Sequence, residues 1–218
     1  MADIMTGDAM IPGSSALAGR AGTDMVAPDG GSAGVRVQEI AHIGKINIRG
    51  SKAIAKVIWN HTGCTFPPAN NMVSSAGARH LVWLGPDEAL LLCEAGMERD
   101  LRRKISDDLA GQHFAATNVT DALCVLQVEG PDVRAALAKG CALDLHPRKF
   151  TPGQCAQTML AHAGVTIIAT DSDCFLLICR TSFAAYTLDW LEDAALEFGF
   201  VFKGQMNSHQ QNKKAPAK

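Results

Sequence analysis

The chain carries one pattern twice. IRG at 48–50 returns as VEG at 128–130, Gly63-Cys64 returns as Gly140-Cys141, and DEALLLC at 87–93 returns as DCFLLIC at 173–179, all in the same order. An internal repeat explains this better than coincidence does. The spacing is longer than that of solenoid repeats, so two copies imply a closed pseudo-symmetric pair and not an array. Each copy reads as strand, helix, two or three strands and helix. The expected class is therefore α+β, with two related half-domains packed as one body.

In the first copy, 42–49 alternates imperfectly around Ile43, Ile46 and Ile48 and suits a strand ending at Gly50. Ser51 can cap the following helix, whose Ile54, Val57 and Ile58 share a face and which stops at 62–64. Pro67-Pro68-Ala69-Asn70-Asn71 makes an extended connector to two strands, 79–84 and 89–94, joined by the turn 85–88. The helix at 97–111 is the most charged element, with one face solvated or set against a polar partner.

The second copy opens with a strand at 123–130. Pro131 then starts a short helix that Gly140 closes, read as a left-handed residue at the helix end. His146-Pro147 and Pro152-Gly153 punctuate the crossing to a three-stranded meander, CAQTMLAH, GVTIIAT and FLLICR. A final amphipathic helix over 182–198 has Ser182 as its cap and Trp190 in its core face, and Phe198, Phe200 and Phe202 alternate as a further short strand would. Residues 1–38 lack either period and read as a flexible N-terminal arm able to order along a neighbour. The expected division is arm, first half 39–118, second half 119–202 and polar C-terminal tail 203–218.

A formal net charge of -2 leaves no basic excess for a phosphate backbone, so nucleic acid is not an expected partner. The seven cysteines sit mostly in apolar runs such as LLLCEA and FLLICR, where a free thiol acts as a small hydrophobe, and the expected compartment is a reducing cytoplasm. No run reaches the ~20 apolar residues that span a bilayer, and Asp3 and Asp8 stand where a secretion signal would be basic. Neither membrane insertion nor export is expected.

Cys141, His146, Cys155 and His162 have ligand chemistry, but their spacing fits no recurrent zinc knuckle, and they read as structural. Ser182, His162 and Asp171 lack the G-x-S-x-G context of a hydrolase triad, and no G-x-G-x-x-G or P-loop is present. No catalytic, cofactor-binding or metal residue is assigned. His146, Arg148 and Lys149 remain, basic groups in a proline-stiffened loop that reads in two ways, as an ordinary solvated loop or as a partner interface gripping an acidic patch.

The segment AKGCALDLHPRKFTPGQCAQTMLAH at 138–162, with CRTSFAAYTLDWLEDAALEFG at 179–199, resembles the gamma subunit of bacterial heterotetrameric sarcosine oxidase, and the likeness runs over roughly 40–200. It implies the folate-binding fold of the glycine-cleavage aminomethyltransferase and of the tRNA-modification GTPase. It further implies alpha, beta and delta partner subunits. Such a complex oxidatively demethylates sarcosine to glycine with FAD, FMN and NAD, passes the one-carbon unit to tetrahydrofolate and yields hydrogen peroxide. This chain would bind no cofactor alone and would serve structure and assembly. The aminomethyltransferase aspartate that stands near the reacting atoms has no local motif to match it here. A stand-alone folate-binding one-carbon transfer protein and a homodimeric binding module stay open as alternatives.

Overall fold

The runs ALLLC and FLLIC show no polar alternation, the signature of strands covered on both faces. The computed structural model, which describes residues 14–28 and 30–204, places each inside a sheet with a strand on either side. In chain order come β1 (Thr23–Met25), β2 (Val35–Glu39), β3 (Gly44–Gly50), α1 (Ala55–Thr62), β4 (Val73–Ala76), β5 (Arg79–Gly85), β6 (Glu88–Cys93), α2 (Glu98–Asp108) and β7 (Phe114–Asn118). Then follow β8 (Leu123–Glu129), α3 (Val133–Ala138), β9 (Cys155–Leu160), β10 (Ala163–Asp171), β11 (Cys174–Arg180), α4 (Ala184–Ala194) and β12 (Phe200–Phe202).

One sheet has the order β4-β5-β6-β3-β7 and the other β1-β12-β2-β8-β11-β10-β9. The repeat is visible in the register. Arg49 lies opposite Glu88 and Ile46 opposite Leu91 in the first sheet; their repeat mates Glu129 and Cys174, and Leu126 and Leu177, lie opposite one another in the second. The halves also exchange a strand. β2, which leads into β3, pairs with β8 of the other sheet, and β7, which leads into β8, pairs with β3. Matching bonds seal the two crossings, Ile40 N–H to Val125 O and Val119 N–H to Lys45 O, each 2.9 Å.

The layers follow from the two-residue period of the strands. Ile46, Ile48 and Leu91 face Ile58 of α1 and Leu101 and Ile105 of α2. Leu126, Phe175 and Leu177 face Leu137 of α3 and Leu188 and Leu191 of α4. The intervening residues, Leu90 and Leu92 on one sheet and Val125, Ile168, Leu176 and Ile178 on the other, meet between the sheets. The order of layers is helix, sheet, sheet, helix.

The arm expected over 1–38 is corrected from residue 14 onward, since β1 and β2 extend the second sheet and Leu17 is buried in its core. The cause is a contact that composition does not reveal. The buried carboxylate of Glu39 accepts hydrogen bonds from the Ala16 and Leu17 amides at 3.1 and 3.3 Å and from the Ser15 hydroxyl, so one side chain orders the turn. Residues 1–13 lie outside the described residues, as does the expected tail from 205. Lys203, assigned to that tail, donates its N–H to Val37 O at 3.3 Å.

Gly140 is not left-handed, whereas Gly63 is, with φ 72°. A Cβ on Gly140 would stand 2.4 Å from the Trp190 ring, so this glycine serves close approach. Ser182 is not the cap either; it lies inside a single 3-10 turn, Thr181–Phe183, that leads into α4. The short strands β4 and β7, VSSA and FAATN, are too small and polar to stand out by pattern.

Candidate functional site

Polar residues on the inward face of β3 part the two sheets. Lys45, Asn47 and Arg49 alternate there, while Ile46 and Ile48 point to the helices. The result is an open cleft of about 800 Å³, walled by Asn47, Arg49, Glu88 and Thr117 from one sheet and by Gln157 and Arg180 from the other. Arg49 Nη2 lies 2.5 Å from Glu88 Oε2, and Asn47 Nδ2 donates to Glu88 Oε1 at 2.7 Å. The hydrogen bond from Arg49 holds the Glu88 carboxyl below the usual carboxylate range, helped by Asn47. Both oxygens are thus engaged, and Glu88 is poorly placed to take a proton near neutral pH. Gln157 Nε2 donates to Leu84 O at 2.7 Å and ties the sheets together at the cleft wall.

Deeper between the sheets Lys45 is buried, and its Nζ donates to Thr120 O at 2.9 Å. Its register mate is Val125, a core residue, so the second copy fills the same position with an apolar side chain. Burial lowers the Lys45 pKa from 10.5, and the Cys124, Asp121, Glu39 and Glu98 side chains oppose that shift. The native state therefore holds fewer protons than the unfolded chain between the lowered value and 10.5, and stability rises with pH across that window. Lys45→Met is expected to leave stability unchanged or raise it by about 1–2 kcal/mol and to remove that rise, as measured by urea unfolding at neutral and alkaline pH. A clear loss of stability would show the ammonium to be a net support.

Cys124 and Cys179 lie opposite each other on β8 and β11, both buried. Its hydrogen bond with Cys179, burial and the Glu39 carboxylate push the Cys124 thiol up, which suits an inert core thiol.

The sequence-nominated groups fall in several places. Cys155 packs between the sheets and donates to Met72 O at 3.5 Å, whereas Cys141 lies in the helix-side core 3.8 Å from Thr158 Oγ1. His162 sits in the β9–β10 turn with its ring centroid 6.4 Å from that of Tyr186. Asp171 closes the far end of β10, so the whole strand separates it from His162. His146, Arg148 and Lys149 are each exposed on the loop between α3 and β9, outside the cleft. Buried Leu145 and Phe150 anchor that loop at either side. Arg134 clamps it from beneath, donating to Phe150 O at 3.2 Å, to Leu145 O, and to Ser172 O at 2.8 Å.

The cleft residues were not singled out by motif. Their available signal was positional: Lys45, Asn47 and Arg49 occupy alternate sites in a strand whose remaining residues are core.

Two pseudo-repeated α+β halves that exchange a strand and enclose a cleft define a fold shared with aminomethyltransferases. The glycine cleavage system aminomethyltransferase T from Bartonella henselae aligns with a TM-score of 0.57 at 16% identity, over 79% of this chain and 48% of that one, a likeness of fold. The sarcosine oxidase, gamma subunit family model matches residues 49–197, and the chain belongs to that family. The sarcosine oxidase subunit gamma of Corynebacterium sp. (strain U-96) is 30% identical over 175 residues, 77% of this chain and 82% of that protein. That of Arthrobacter sp. is 29% identical over 177 residues, 78% of this chain and 84% of that protein. A chain of the heterotetrameric sarcosine oxidase from Corynebacterium sp. U-96, solved with pyrrole 2-carboxylate, aligns with a TM-score of 0.73 at 30% identity, over 80% of this chain and 88% of that one.

Proposed function

We propose that this chain is a structural and assembly subunit of a cytoplasmic sarcosine oxidase built with alpha, beta and delta chains. The observation that carries the reading is the likeness, across 80% of this chain, to a chain of a heterotetrameric sarcosine oxidase. The complex would demethylate sarcosine to glycine, hand the one-carbon unit to tetrahydrofolate and reduce oxygen to hydrogen peroxide. FAD, FMN, NAD and folate would belong to the assembly and not to this chain alone. The engaged state of Glu88 supports a noncatalytic role, because the cleft's acid is already spent on Arg49 and Asn47. The loop carrying His146, Arg148 and Lys149 would supply a partner contact, and its clamp by Arg134 lowers the entropy lost on docking. The test is copurification: the tagged chain, recovered from its native cells, is expected to bring larger flavin-bearing chains with it.

One observation favours a second reading. The cleft of about 800 Å³ is large enough for a folate-sized ligand, and Arg49 and Arg180 suit the carboxylates of its glutamate tail. On that reading the isolated chain would itself bind tetrahydrofolate and carry a one-carbon unit.

A further inference from the structure

β7 is the last strand of its sheet, and its open edge is unusual in two ways. Its residues Phe114, Ala115, Ala116, Thr117 and Asn118 include no charge and no proline, the devices that normally keep a sheet edge from pairing. The strand that holds the matching place in the other sheet is, by contrast, an interior strand.

The matching strand is β2. Arg36 of β2 lies opposite Glu129, and Ala115 of β7 lies opposite Arg49, the repeat mate of Glu129. Val35 and Val37 therefore correspond to Phe114 and Ala116. On β2 these positions bond outward: Val35 N–H donates to Gly199 O at 3.2 Å, and Val37 O accepts from Lys203 N–H at 3.3 Å. The strand beyond them, β12, runs parallel to β2. On β7, Val119 N–H donates inward to Lys45 O, so the two-residue period turns the Thr117 and Ala115 amides inward and those of Ala116 and Phe114 outward. No strand among the described residues meets them.

The flank of this edge is basic. Arg99, Arg102 and Arg103 of α2 line a surface hollow with Asp100 and Asn118, the last residue of β7. Arg103 is paired with Asp100 and Asp107, and Asp100 also with Lys104. Arg99 and Arg102 are exposed and have no ion-pair partner among the described residues. We infer that the open edge of β7, beside Arg99 and Arg102, receives an extended acidic segment of another subunit as an added strand. It runs parallel to β7, as β12 runs along β2, with main-chain bonds supplying affinity and the two guanidiniums selecting acidic side chains. The inference rests on the assembly reading above and names a surface through which assembly occurs.

Hydrogen–deuterium exchange of the chain, free and in the copurified complex, tests it. The Phe114 and Ala116 amides are expected to exchange at least about tenfold more slowly in the complex. The double variant Arg99→Glu/Arg102→Glu is expected to melt like the parent, since both side chains are exposed, and to capture the other subunits about tenfold less well. A complex that forms with these amides still fast overturns the strand addition and leaves the assembly reading intact. Full protection already present in the free chain overturns it as well, because a segment of this chain would then cover the edge. A chain that recovers no other subunit overturns both.

Discussion

Gly130→Ala is expected to destabilise the protein by about 3–5 kcal/mol, whereas Gly50→Ala, the same substitution in the other copy of the repeat, costs about 1 kcal/mol. Gly130 has φ 132°, a backbone that L residues rarely adopt, and a Cβ there would lie 2.2 Å from Gly34 O. The obstacle is backbone, the stretch leading into β2, and it is held in place by the Asp132 N–H bond to Gly34 O at 3.1 Å. It cannot swing aside without dragging β2 away from β8. At Gly50 the nearest atom is Ile54 Cδ1 at 2.7 Å, the far end of a flexible side chain. Thermal unfolding is the check: Gly130→Ala should lower Tm on the order of 10 °C. Equal losses in the two variants would contradict the strand-exchange geometry around β2.

Phe175→Ala is expected to cost about 3–5 kcal/mol and to loosen a distant loop as well. Phe175 is fully buried, its ring centroid lies 6.3 Å from that of Phe150, and the Arg134 guanidinium sits 4.8 Å above its ring. Removing the ring leaves a cavity and also takes away the platform of the arginine that clamps the 145–150 loop. Trypsin cleavage at Arg148 and Lys149 should therefore accelerate along with the loss of stability. Phe175→Leu, which keeps most of the volume, should cost less and leave the loop closer to its parent behaviour. A large loss of stability with unchanged cleavage would separate the loop from the core.

The repeat and its central strands were legible because a strand buried on both faces must be a continuous apolar run, and ALLLC and FLLIC have no other use. The strand exchange was not legible. Val35 and Val37 give only two turns of a two-residue period, and their pairing with β8, remote in sequence, is decided by contacts no local pattern encodes. Glu39 illustrates the same limit, since a lone glutamate after a short alternation gives no hint that it will cap a turn 23 residues earlier. His146, Arg148 and Lys149 can be grouped from the sequence because they are neighbours in it. Asn47, Arg49, Glu88 and Arg180 were missed because only the folded sheets bring three separate strands to one cleft.

The role proposed for this chain is work inside a larger oxidase. Its most direct measurement is the composition of what the tagged chain carries from its native cells, read as subunit masses and as an absorption spectrum of the eluate. Larger chains in fixed proportion with a flavin spectrum are the predicted result. A colourless chain recovered alone, or as a pair of identical copies, would contradict it.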